Sequence, residues 1–166
     1  MSKPAVLLIS YSHDSDAHRT RVLGLSERLR NDGFDSQIDQ YVNGSPPEGW
    51  PRWMLDRIDA SEWVLVVCTE TYYRRFRGHE APGVGRGVTF EGLMITQELY
   101  EAHMRNTKFV PVIFDLADAD FIPEPLRAGT YYLVNDDAGY ESMLEALRRV
   151  AGVTPGPIGT APTVER

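Results

Sequence analysis

Cysteine is scarce in this sequence, because Cys68 is the only cysteine among its 166 residues. A single thiol excludes an internal disulfide framework and a zinc site built from several thiolates. Positive charge is also sparse, since 17 Lys and Arg against 24 Asp and Glu give a formal net charge of −7. We therefore expect neither nucleic acid nor an anionic membrane surface as a direct partner.

Long apolar runs are missing as well. No stretch approaches the ~20 residues that span a bilayer, and residues 1–4 lack the apolar core of a signal peptide. The composition, 42% hydrophobic and 25% charged, is that of a soluble globular protein. At this length we expect one domain with its own core, located in the cytoplasm.

Short apolar bursts alternate with amphipathic stretches along the chain. This alternation predicts an α/β fold in which right-handed crossovers join parallel strands and helices cover both faces of the sheet. Ligands of such sheets bind beyond the carboxyl ends of the strands. The predicted strands are 5–9, 34–38, 63–68, 109–114 and 131–134.

The segments between the strands carry helix and loop signals. Ser12 or Asp14 is placed to cap the first helix, and Pro51 suits the first turn of the second. Residues 88–104 are predicted as the third helix. The predicted loops are 41–49, the basic and glycine-rich segment 72–87, and 116–129 with at most one helical turn. Proline has no backbone N–H, so Pro111 predicts that this position of the fourth strand donates no hydrogen bond to a neighbouring strand.

Composition changes near the carboxyl end. From about residue 153 the chain is rich in Pro and Gly and has few large apolar residues. We expect a domain over 1–152, followed by a tail over 153–166 that is disordered or links to a domain absent from this chain.

Residues after the strands argue against two functions of parallel α/β folds. A phospho-receiver needs an acidic pair after the first strand and an aspartate after the third, where this chain has Ser10-Tyr11 and Cys68-Thr69. A redox dinucleotide-binding fold needs a Gly-x-Gly-x-x-Gly turn after the first strand, and that turn is absent. An enzyme like the nucleoside deoxyribosyltransferases, which also place a glutamate at a nucleoside C1′, stays an alternative.

The segment Leu8-Ile9-Ser10-Tyr11-Ser12-His13-Asp14 resembles the opening of the SEFIR branch of the TIR superfamily, in its prokaryotic form. The likeness continues, in the family's order, through 43–50, 64–72, 87–91 and 108–112. It implies a flavodoxin-like (TIR-like) three-layer sandwich with a five-stranded parallel sheet of order 2-1-3-4-5.

Two functions are implied by this resemblance. Some members are non-catalytic adaptors that self-associate in signalling. Many bacterial members, once assembled, hydrolyse the nicotinamide–ribose bond of NAD+, often as the effector of an anti-phage system with a fused or partner sensor domain. NAD+ is then the substrate, and neither a cofactor nor a metal is implied. The catalytic glutamate of those enzymes, at the start of the third helix, maps to Glu91.

A carboxylate suits this chemistry. Nicotinamide departs as a neutral molecule, so the reaction needs little acid help and depends on a negative charge that stabilises the oxocarbenium-like transition state. Glu91 meets that demand by residue type and position, although an acidic residue in a first turn also complements the helix dipole without any catalysis. Glu98, two helical turns further on, is the second candidate.

Other residues are expected at the same edge of the sheet. The start of the first helix favours phosphate, while an exposed tryptophan would cover a base or a neighbouring subunit. We expect Trp53 to pack under the loop and Cys68 to be a buried thiol. A basic cluster would meet the pyrophosphate, an acidic face of another subunit, or only solvent; its members are Arg74, Arg75, Arg77 and Arg86. The residues expected to bind NAD+ besides Glu91 are Ser10, Tyr11, Ser12, His13, Asp39, Trp50 and Tyr72.

Overall fold

The computed structural model describes residues 4–77, 108–148 and 157–161. Strands and helices alternate within these ranges. The strands are β1 (Val6–Ser10), β2 (Asp35–Gln37), β3 (Trp63–Val67), β4 (Phe109–Ile113) and β5 (Tyr132–Leu133). The α-helices are α1 (Asp16–Asn31), α2 (Trp50–Ala60), α3 (Glu70–Phe76) and α4 (Asp137–Leu147), and short 3₁₀ helices cover Asp39–Tyr41, Leu116–Phe121 and Glu124–Leu126.

All five strands form one parallel sheet in the order β2-β1-β3-β4-β5. Side chains of a strand alternate between the two faces, and each face has its own core. On one face Leu7 and Ile9 pack with apolar residues of α1 and α4. On the other face Leu8 packs with residues of α2 and α3. The predicted strand order and the three-layer sandwich are therefore confirmed.

Helix α1 begins later than the sequence indicated. Its cap is Ser15, whose hydroxyl accepts a hydrogen bond from the His18 backbone N–H at 3.0 Å, so the prediction of Ser12 or Asp14 was wrong. The Ser12 hydroxyl is instead hydrogen-bonded to the Asp14 carboxylate. The helix ends before Gly33, whose φ of 100° lies in the left-handed region that glycine adopts most easily.

Residues 72–76, predicted as the start of a loop, belong to helix α3. The Thr69 hydroxyl caps this helix by accepting from the Tyr72 N–H at 3.1 Å. The Glu70 carboxylate pairs with the Arg74 guanidinium one turn later. Tyr72 is fully buried in the core under the helix. The cap, the ion pair and the buried aromatic side chain stabilise the helix, although the glycines that follow it favour a loop. The remaining residues of the predicted loop, from 78 onward, lie outside the described residues.

The segment between β4 and β5 is also more ordered than predicted. It contains two 3₁₀ helices, Leu116–Phe121 and Glu124–Leu126, instead of at most one helical turn. Buried Ile122 and Leu126 anchor it to the core shared with α2 and α3. Apolar anchors of this kind fix a short connection even where prolines prevent an α-helix.

Pro111 sits where the sheet does not need its missing N–H. The Cys68 N–H donates to the Val112 carbonyl on the β3 side, whereas the Val134 N–H donates to the Ile113 carbonyl on the β5 side, both at 2.9 Å. Because alternate residues of a strand face alternate neighbours, the nitrogen of Pro111 faces the β5 side. Strand β5 contributes only two residues there.

Some expectations stay outside this description. The predicted third helix, 88–104, lies outside the described residues, and so does most of the predicted tail. Residues 157–161 are exposed and have no regular secondary structure. Among the described helices, none is long and apolar enough to cross a membrane.

Candidate functional site

The loop after β1 and the turn after β2 are joined through Asp39. Tyr11 Oη donates to Asp39 Oδ1 at 2.5 Å, and His13 Nε2 donates to Asp39 Oδ2 at 2.7 Å. Gln40 Nε2 extends the network, since it donates to Tyr11 Oη at 2.8 Å and to the Arg19 carbonyl at 3.0 Å. Two loops that are far apart in sequence thereby form one wall at the carboxyl edge of the sheet.

This network keeps Asp39 ionised. Burial alone would raise the pKa of Asp39, but the hydrogen bonds from His13 and Tyr11 outweigh it and hold the pKa below its usual range. The pKa of Tyr11 is raised, mainly by burial and then by its bond to the carboxylate. The lowered pKa of Asp39 and the raised pKa of Tyr11 both favour a neutral phenol that donates to a charged carboxylate.

Three further hydroxyl-bearing site residues are buried beneath this wall. Ser10 Oγ lies 2.8 Å from Tyr72 Oη, and Ser12 Oγ lies 3.3 Å from Thr69 Oγ1. Ser10 is 2% exposed, and Ser12 and Tyr72 are fully buried. These contacts tie the loop after β1 to the start of α3, so we interpret these side chains as supports of the edge.

Two of the predicted site residues face solvent. The His13 side chain is 48% exposed, and Trp50 is 40% exposed. The Trp50 and Trp53 rings pack in an edge-to-face arrangement, with ring centroids 5.5 Å apart. Trp53 is buried among the apolar side chains of the core, as predicted, and supports the partly exposed Trp50.

The basic cluster is only partly described. Arg74 pairs with Glu70, and Arg77 Nη1 lies 3.6 Å from Glu124 Oε1. The Nε of Arg75 is buried and has no hydrogen-bond partner. Arg86 lies outside the described residues, as do Glu91 and Glu98, so the roles predicted for these three stay predictions.

A second group of polar residues was missed from the sequence. A cleft of about 300 Å³ opens between the start of α1, the start of α3 and the segment after β4. Its titratable side chains include His18 from α1, and Asp115 and Asp118, which lie about 100 positions later in the chain. The aspartates directly after β4, at the edge where ligands bind, were the sequence signal that could have found it. Within the described ranges, no three His, Cys, Asp or Glu side chains are arranged to hold a metal ion.

A parallel sheet of order 2-1-3-4-5 with helices on both faces defines a flavodoxin-like domain. The family model of the SEFIR domain matches residues 5–144. The chain therefore belongs to the SEFIR family. SEFIR and TIR domains mediate homotypic interactions.

Two solved structures are similar to this chain, and the first of them is itself a SEFIR domain. A crystal structure of a prokaryotic SEFIR domain is similar to this chain at 25% identity and a TM-score of 0.58, over 87% of this chain and 96% of that one. The TIR domains of the activated Roq1 resistosome, which directly recognises the pathogen effector XopQ, are 16% identical with a TM-score of 0.46, over 89% and 86%. No curated protein matches the chain significantly.

Proposed function

We propose that this SEFIR domain self-associates and, when assembled, hydrolyses NAD+ in an anti-phage response that a fused or partner sensor domain starts. One observation carries the proposal: Tyr11 and His13 lock Asp39, in ionised form, into the carboxyl edge of the sheet. A fixed negative charge at that edge is the environment that a developing ribosyl cation requires, because it needs no reorganisation during the reaction.

The reaction itself needs few groups. The bond between C1′ of the ribose and the nicotinamide nitrogen breaks, and its electron pair leaves with nicotinamide. Water then adds to C1′ and releases a proton, which gives ADP-ribose. In the proposal Glu91 is the carboxylate beside the ribose, and Asp39 adds a second negative charge to the same environment.

The other edge residues have supporting parts in this proposal. Trp50 is 40% exposed and in this proposal covers a base or contacts a neighbouring subunit. Ser10, Ser12 and Tyr72 hold the loop after β1 in place from within the core. They act as positioning residues, since their buried hydroxyls leave little surface for a substrate.

The decisive experiment compares two carboxylates on the predicted third helix. Concentrated or artificially clustered protein is incubated with NAD+, and released nicotinamide is measured. Glu91→Gln keeps the size of the side chain and removes its charge, so turnover should fall by about 10²–10³-fold, the loss expected for one electrostatic group worth roughly 3–4 kcal/mol. The matched control, Glu98→Gln, should stay within a few-fold of the parent.

The same samples test the need for assembly. Dilute monomer, identified by sizing on the sample that is assayed, should be nearly inactive. Robust turnover by that monomer, or full activity of Glu91→Gln, would contradict the proposal. Equal losses in both variants would mean that the two glutamates act together or that the wrong one was chosen.

A non-catalytic interaction module is the second candidate. The observation that favours it is that both oxygens of Asp39 already have partners within the protein. Self-association without any nicotinamide release, at every concentration, would select this reading. A deoxyribosyltransferase-like activity would instead appear as transfer of the sugar to an added nucleobase.

A further inference from the structure

The two edges of the described sheet differ in what they offer to another chain. An unpaired edge strand presents backbone groups with which a strand of a second molecule can pair. Strand β5 forms one edge and has only two residues, so it offers little to pair with. Strand β2 forms the other edge with three residues, Asp35–Gln37. Its outward backbone groups are therefore the ones that need protection.

Ser36 carries the outward backbone groups of β2. The Asp35 N–H donates to the Ala5 carbonyl, on the β1 side, at 2.9 Å. Because alternate residues of a strand bond to opposite sides, the N–H and the carbonyl of Ser36 point away from β1. Ser36 is nevertheless fully buried, although it lies on an edge strand. Side chains must therefore cover this edge.

Arg30 of helix α1 reaches over the edge. Its Nη1 donates to the Ser36 carbonyl at 2.7 Å and to Asp35 Oδ1 at 3.0 Å. Gln37 Nε2 donates to the same carboxylate oxygen at 2.6 Å. The Arg30 guanidinium also lies 5.7 Å from the centroid of the Tyr41 ring. One cation thereby occupies the outward carbonyl that a second strand would have to reach.

The contact of Arg30 with the edge contributes little to folding. The Arg30 side chain is 44% exposed and that of Asp35 is 40% exposed. An ion pair at such exposure adds little to the free energy of unfolding. Charged side chains at an edge strand are, in contrast, a common protection against pairing with other chains. The position of Arg30 is thus explained better by this protection than by stability.

Without Arg30 in the way, β2 is complementary to itself. Two copies of the strand can align antiparallel about a two-fold axis at Ser36, where the two serines would exchange both backbone hydrogen bonds. This register places Asp35 of each copy opposite Gln37 of the other, so that a carboxylate faces an amide donor at both ends. The complementarity favours a second copy of this chain over an unrelated strand.

We propose that Arg30 keeps the β2 edge closed in the monomer, and that its displacement lets β2 of a second copy pair with this edge. The inference rests on the self-association in the proposed function and is independent of NAD+ hydrolysis. Because the pairing offers few bonds, it needs a high local concentration, which clustering by a fused or partner domain would supply.

The test is sedimentation equilibrium of the full chain over a range of concentrations. Arg30→Met keeps the length of the side chain and removes its charge and its N–H donors. Dimers should form about tenfold more tightly than in the parent, from about threefold for the half-exposed contact in each copy. Arg30→Lys keeps a cation at the edge and should behave like the parent. Arg19→Met, the matched control, makes the same change at an exposed position of the same helix and should also behave like the parent.

A second substitution tests the register. In the Arg30→Met protein, Gln37→Glu places two carboxylates opposite each other at both ends of the paired strands, so the dimer should be lost. Amide chemical shifts of Arg30→Met that change with concentration should centre on residues 35–37. Thermal unfolding of each variant, measured in parallel, separates pairing of folded domains from association of unfolded chains.

The inference is overturned if Arg30→Met associates no more tightly than Arg19→Met, if Gln37→Glu leaves the Arg30→Met dimer intact, or if the shifts centre away from residues 35–37. Self-association of the parent that none of these variants changes would also overturn it, yet would leave the self-association in the proposed function intact. Dimers of Arg30→Met that Gln37→Glu disrupts would support the inference, whether or not nicotinamide is released.

Discussion

The Tyr11 hydroxyl donates to Asp39 Oδ1 at 2.5 Å and so joins two loops whose residues lie 28 positions apart. The same hydroxyl accepts from Gln40 Nε2 at 2.8 Å. One phenolic group thus satisfies a carboxylate and an amide at once. The carboxyl edge of the sheet depends on this group for its geometry, whatever chemistry takes place there.

We expect Tyr11→Phe to destabilise the domain by about 1–3 kcal/mol, because Asp39 and Gln40 each lose a partner in a partly buried setting. Urea unfolding measures this change. The matched control is Tyr131→Phe, which removes the hydroxyl of an exposed tyrosine and should change stability by no more than about 0.5 kcal/mol. Equal effects in both variants would mean that the Asp39 network contributes nothing to folding.

Asp39 should also make stability depend on pH. Its pKa is lowered in the folded protein, where the hydrogen bonds from His13 and Tyr11 outweigh burial. The carboxylate therefore stabilises the fold above its unfolded pKa of about 3.9, and this contribution is lost as the pH falls through the folded pKa. The stability difference between the parent and Asp39→Asn should be largest near pH 7 and should shrink below about pH 4. A difference that grows on acidification would reverse the assigned shift.

Cys68 should be inert in the native state. Burial raises the pKa of its thiol to about 12, and the nearby Asp118 charge adds to the shift. The thiolate is the reactive form of cysteine, so dithionitrobenzoate at pH 8 should label the folded protein only through opening of the structure. In guanidinium chloride the same sample should react rapidly with one equivalent. Rapid labelling of the native protein would show that the carboxyl end of β3 is accessible.

The sheet could be predicted because its signals are local. Each strand is a short apolar run, and right-handed crossovers with helices on both faces leave few topologies for such a pattern. Cys68 and Trp53 were correctly predicted as buried, since an apolar setting in sequence is a sound guide to burial. The strand order came from the family resemblance, and the sheet confirms it.

The polar contacts could not be predicted in the same way. Tyr11, His13 and Asp39 were all expected at the edge, yet their pairing depends on the exact angle between two loops. The cleft is harder still, because His18 and Asp118 meet only after β4 has joined the sheet. Helix α3 was not predicted, because the glycines that follow it favoured a loop over the whole segment. The Thr69 cap and the burial of Tyr72, which stabilise the helix, were not recognised in the sequence.

Two glycines in helices provide a matched pair for the packing of the domain. In α4, an added Cβ at Gly139 would overlap the Leu133 carbonyl oxygen and lie 2.9 Å from its carbon. In α1, a Cβ at Gly24 would meet nothing within 4 Å. The same substitution should therefore have opposite effects at the two positions.

Gly139→Ala must push α4 away from the backbone of β5, because a carbonyl cannot move aside as a flexible side chain can. We expect a loss of at least about 2 kcal/mol, at the upper end of ordinary overpacking. Gly24→Ala should instead stabilise the domain by about 0.5–1 kcal/mol, since alanine reduces the conformational freedom of the unfolded chain and favours the helix. Urea unfolding of both variants and the parent decides the matter. A neutral Gly139→Ala would mean that α4 does not pack against the Leu133 carbonyl of β5 as closely as the structure shows.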